Sequence, residues 1–180
     1  MKYPTPLALA FALACSSCGD RPANPATATE IAAAPAAVTQ PWSVAVDEYL
    51  ALRDALVAGD WPTAEAAADD LQAAVAGADM GAMGDYHGLW MDYAVPLGRD
   101  AREVAIAGNL EDARVAFAEL TPALVAAVRA LGEGGRDLYL QHCPMAFDNE
   151  GAEWVSDETE IRNPYFGEAM LTCGKVTAEL

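Results

Sequence analysis

Between Trp42 and Leu131 apolar residues recur every three or four positions and polar residues fill the faces between them, the period of amphipathic α-helices. Gly, Asp and Pro punctuate the run into four stretches. The first covers Val44–Ala58, with Val46, Tyr49, Leu50, Leu56 and Val57 on its apolar face, and Gly59 stops it. Asp60 can cap the second, Pro62 suits its first turn, and it runs to about Gly77 with Ala64, Ala67, Ala68, Leu71, Ala74 and Val75 facing inward. A Gly-rich loop over 78–84 precedes the third stretch, Asp85–Ala107, where Pro96 should impose a kink. Gly108 and Asn109 lead into the fourth, Leu110–Leu131, whose stripe of Ala113, Phe117, Leu120, Leu124, Val128 and Leu131 is the clearest in the chain. Short loops between four helices predict a mainly α protein, an antiparallel up-down four-helix bundle. From Arg136 the period vanishes, and residues 136–180 are expected to be irregular or short-stranded.

The N-terminus follows a different logic. Leu7–Ala14 is a short apolar run behind Lys2, which reads as a secretory signal over residues 1–18. Small residues before a cysteine resemble the bacterial lipoprotein box. Cys18, behind Ser16 and Ser17, is the expected lipidation site, and Cys15 is the alternative. Ala12-Leu13-Ala14 also fits simple cleavage to a free periplasmic protein. Residues 19–41, rich in Ala, Pro and Thr, read as a disordered tether, so the folded domain is expected over 42–180.

Composition narrows the function. The chain has 180 residues, 53% of them hydrophobic, enough for one domain with a real core. Its 10 Lys and Arg face 27 Asp and Glu, a net charge of −17, which disfavours nucleic acid and anionic membrane surfaces. No apolar run reaches the ~18 residues of a membrane span. Membrane contact is expected only through an N-terminal lipid.

The unusual residues crowd into the last segment. Cys143, Met145, Met170 and Cys173 supply two thiols and two thioethers, the soft donors that select Cu(I). Pro144 stiffens the turn between the first two, and Gly167 and Gly174 permit close backbone approach. The competing reading is a Cys143–Cys173 disulfide closing a ~30-residue loop, worth roughly 3–4 kcal/mol. A second group, Met80, Met83, His87 and Met91, opens the third helix, and its steps of four would set Met83, His87 and Met91 near one face. Met80 and Met83 read as core filler. Trp154, Tyr165 and Phe166 should pack the segment onto the helices, Asn163-Pro164 reads as a turn, and Asp69-Asp70 and Asp157-Glu158 as solvated acids. No catalytic motif is present; a Cys143–His87 nucleophile pair is the enzyme alternative, and a non-enzyme is expected.

Several of these residues carry a resemblance. Cys143-Pro144-Met145-Ala146, Gly151-Ala152-x-Trp154, Ile161-x-Asn163-Pro164-Tyr165-Phe166-Gly167 and Met170-Leu171-x-Cys173-Gly174 occur in an order and spacing similar to the DUF3347 family. His87-x-x-Trp90-Met91 and Arg114-x-x-Phe117-x-x-Leu120 fit the same pattern, and the resemblance covers about residues 44–178. The family is found in exported bacterial proteins and beside periplasmic adaptor subunits of heavy-metal efflux pumps. The resemblance therefore implies a periplasmic copper-binding module that captures metal or delivers it, with an efflux adaptor or another copper protein as partner. It ranks His87 as the fifth ligand, ahead of Met91 and of His142, where relatives vary. The chain departs from the pattern at Glu103, near where relatives often carry a histidine. The alternative is a structural or protein-interaction domain stapled by the disulfide.

Overall fold

A computed structural model describes residues 34–180, and the expected signal, Cys15, Cys18 and most of the expected tether lie outside the described residues. The first helix, α1, spans Ala36–Ala58 and therefore begins well ahead of the expected Val44. Residues 36–41 are helix, which corrects the reading of them as tether. The cause is tertiary: Val38 and Trp42 are both buried, and Trp42 Nε1 donates to the Gly132 carbonyl at 2.7 Å. That burial outweighs the backbone hydrogen bond that Pro41 cannot make inside the helix.

α2, Trp61–Ala76, starts as expected: Asp60 accepts from the Thr63 N–H at 3.3 Å and from its hydroxyl at 2.7 Å, and Pro62 lies in the first turn. The third stretch is not one α-helix. Short 3₁₀ turns at Met80–Ala82 and Gly84–Tyr86 lead into an α-turn at His87–Leu89, a π turn at Trp90–Ala94, and then α3, Val95–Ala105. Pro96 explains the π turn. It has no N–H for the Asp92 carbonyl and its ring crowds that carbonyl, so the coil widens just before it. α4, Leu110–Leu131, is capped by Asn109, which accepts from the Asp112 N–H at 3.0 Å. Every residue of its expected stripe is buried.

The protein is mainly helical, and a small antiparallel sheet follows α4. α1 packs on α2, α2 on α3 and α3 on α4, and none of these helices is long and apolar enough to cross a membrane. Strands β1 (Tyr139–Cys143), β2 (Ala152–Ser156) and β3 (Lys175–Glu179) lie in the order β2-β1-β3. An aromatic chain fixes the sheet to the helices. Tyr49 of α1 stacks on Phe117 of α4 at 5.0 Å, Phe117 meets Tyr165 at 6.0 Å, and Tyr165 meets Trp154 of β2 at 6.0 Å. The expected packing role of Trp154 and Tyr165 follows from this, and partly buried Phe166 packs against the same core. Two arginines complete the joint. Arg114 donates to the carbonyls of Pro164 at 2.8 Å and Leu56 at 3.0 Å, and buried Arg53 donates to Ser156 Oγ at 2.7 Å and Asp157 at 3.1 Å. Asp157 is thus an ion-pair partner and not a freely solvated acid.

Candidate functional site: a dithiol between strand ends

Cys143 is the last residue of β1. Its cross-strand partner on β2 is Ala152, while on the other side His142 faces Lys175, which draws Cys173 and Gly174 alongside it. The two sulfurs are 3.0 Å apart although thirty positions separate them, and both are free thiols. Cys143 is fully buried and Cys173 half-buried. Of the two, only Cys173 presents surface to solvent.

The surrounding backbone holds this geometry. Asn163, fully buried, donates from Nδ2 to the Cys173 carbonyl at 2.8 Å, and its own N–H reaches the Leu171 carbonyl at 2.8 Å. Its Oδ1 accepts from the N–H groups of Tyr165 at 2.8 Å and Phe166 at 3.3 Å. Gly174 has φ +145°, and a Cβ there would stand 2.9 Å from Cη2 of Trp154 and 3.0 Å from the His142 carbonyl, so only glycine lets β3 start this close to the thiols. On the other side of Cys143, Phe147, Asp148 and Asn149 all take left-handed φ of 50°, 56° and 72°. Three such residues in succession are strained. Gly151 N–H on the Ala146 carbonyl at 3.0 Å and the Phe147 ring 5.4 Å from Tyr165 hold the turn. The hydrogen bond to Cys143, then burial, then the charge of Cys143 raise the Cys173 thiol above its ordinary value.

Met145 lies beyond Pro144 and is 47% exposed, while half-buried Met170 belongs to the turn that Cys173 closes by donating to its carbonyl at 3.0 Å. His87 is exposed on its short α-turn, which packs chiefly against its own flanking turns. The expected common face of Met83, His87 and Met91 does not form. Met83 is buried in the core and Met91 is exposed, because Gly84 at φ +56° and the π turn break the steps of four. Half-buried His142 lines a groove of about 510 Å³ with Glu119, Glu150 and Glu153. Among the described residues no three His, Cys, Asp or Glu side chains are grouped to hold a metal. A metal at the dithiol would therefore rest on the two thiolates, soft donors that suit Cu(I) better than the harder divalent ions. Asn163 and Arg114 were missed as supports of the site. Their signal was their place in the motifs, where Asn163 read only as a turn.

The fold and the site define a mainly helical domain with a three-stranded C-terminal sheet and a pre-positioned pair of free thiols. Residues 45–134 match the family described as Protein of unknown function (DUF3347), and the chain belongs to that family. The match ends ahead of β1, so both thiols lie beyond it. Neither a curated protein nor a solved structure matches the chain.

Proposed function

We propose that the domain is a non-catalytic soft-metal module that takes Cu(I) at Cys143 and Cys173. The observation that carries this reading is the 3.0 Å contact between two free thiols, one of them reachable from solvent. Met170 and Met145, next to the pair in sequence, are the candidate additional donors, and His87 is the candidate ligand from the helical side. Cleavage of the signal ahead of a lipidated Cys18, or Cys15, and the residues that follow it would hold the module in the periplasm, where an efflux adaptor or another copper protein would receive the metal. The helices form an antiparallel up-down four-helix bundle in this reading, supported by the pairwise packing of α1 on α2, α2 on α3 and α3 on α4.

A second reading is favoured by the same distance. The sulfurs stand about 1 Å beyond disulfide bond length, so a small torsional change would staple the segment instead. Metal analysis of the purified chain after copper exposure under reducing conditions separates the two. About one copper per chain, lost in Cys143→Ser and in Cys173→Ser, is expected for a two-thiolate site. Unchanged uptake in Cys143→Ser, with a destabilised fold, would leave the staple.

A further inference from the structure

The two thiols are unequal: one is sealed in the core and the other opens to solvent, and they touch at 3.0 Å. We infer that they form a thiol–disulfide exchange pair acting on a low-molecular-weight disulfide, with Cys173 as the attacking thiol and Cys143 as the resolving one. This rests on the dithiol reading above and extends it to the control of the site.

Access decides the order of events. A small disulfide can reach Cys173 and cannot reach Cys143, so the first step belongs to Cys173. Its thiolate attacks one sulfur of the disulfide RSSR; the Cys173–S–S–R bond forms, the R–S–S–R bond breaks and one RS⁻ leaves. Cys143 then attacks Cys173 Sγ, forming the Cys143–Cys173 bond and expelling the second RS⁻. The pair loses two electrons, the small disulfide gains them, and the two thiol protons pass to the departing thiolates. The second step needs almost no movement, because Asn163 pins the Cys173 carbonyl at 2.8 Å and Gly174 seats the strand against Trp154. A resolving group already in contact raises the effective concentration of the intramolecular step far above any bimolecular competitor. The mixed disulfide is therefore short-lived.

The consequence is a gate. Two thiolates can hold a soft ion and a disulfide cannot, so the same exchange withdraws the donors, and reduction by small thiols restores them.

The test uses the full reduced chain, with chelator present to remove metal, treated with oxidised glutathione and followed by mass spectrometry with peptide mapping, which keeps Cys15 and Cys18 separate. The wild type should end with an internal Cys143–Cys173 bond and no lasting adduct on either residue. Cys143→Ser should accumulate a glutathione adduct on Cys173, and Cys173→Ser should modify Cys143 at least about tenfold more slowly. A lasting wild-type adduct on Cys173, or modification of Cys143 at the rate of Cys173, would overturn the proposal. If a serine variant loses its helical circular dichroism, the wild-type end state decides alone. Exchange without copper uptake by the reduced chain would remove the metal reading only; copper uptake without exchange would remove this inference only.

Discussion

Asn163 donates to the carbonyl of Cys173 at 2.8 Å while its Oδ1 accepts from the Tyr165 N–H at 2.8 Å, so one buried amide joins the dithiol to the aromatic hinge of the domain. Its burial makes each of these bonds costly to lose, because no water stands ready to replace the partner.

Asn163→Ala should lower unfolding free energy by at least about 2 kcal/mol in denaturant titrations, since it orphans a buried carbonyl and two N–H groups. Asn163→Asp keeps the acceptor for the two N–H groups but sets a second carboxyl oxygen, in place of the donor, against the Cys173 carbonyl. It should keep the turn at Tyr165 and Phe166 but loosen Cys173, seen as faster alkylation of that thiol.

Gly167 makes a similar joint on the helical side. A Cβ there would lie 2.8 Å from the Val57 carbonyl oxygen and 3.1 Å from Arg114, at φ +54°. Gly167→Ala should cost about 2–4 kcal/mol, combining a backbone clash with a left-handed alanine. Gly108→Ala is the comparison: φ is +81° with nothing within 4 Å, so only the conformational cost of about 1 kcal/mol should appear. Equal losses in thermal unfolding would refute the close-contact account.

Arg53 is 4% exposed and binds Ser156 and Asp157 of the sheet side as well as Asp54 at 2.9 Å. Arg53→Ala should destabilise by about 3 kcal/mol, because it leaves a cavity and takes the donor from the buried Ser156 hydroxyl and from two partly exposed carboxylates. Asp157→Asn removes only a partly exposed charge and should cost about 1 kcal/mol or less.

Tyr49 supplies a pH dependence. Burial pushes its phenol up to about 12 from 10.0, partly offset by the bonds to Thr121 and Val155 and by the charge of Arg53. A raised value means stability that is fully present below pH 10 and is lost as pH climbs from about 10 towards 12, up to about 2–3 kcal/mol in all. Buried Tyr165 is raised as well and acts in the same direction. Unfolding followed by tyrosinate absorbance should be steep in that window, and Tyr49→Phe should flatten it.

Local rules account for what the sequence determined by itself. The stripe Ala113–Leu131, the Asp60 cap and the stop at Gly59 depend on neighbours within one or two helical turns, and all of them stand in the structure. The soft chemistry of Cys143 and Cys173 was legible for the same reason, since residue type alone sets it. The start of α1 was not, because Val38 is helical only by virtue of a core built from residues far along the chain. Neither was the breakdown of the Met83, His87 and Met91 face, which turns on how Pro96 is absorbed in the coil before it. Above all, only the tertiary structure brought Cys143 within 3.0 Å of Cys173 and made one buried and the other reachable. That inequality arises from strand register, the Asn163 bonds and the room that Gly174 leaves beside Trp154, and such long-range contacts leave no period in the chain.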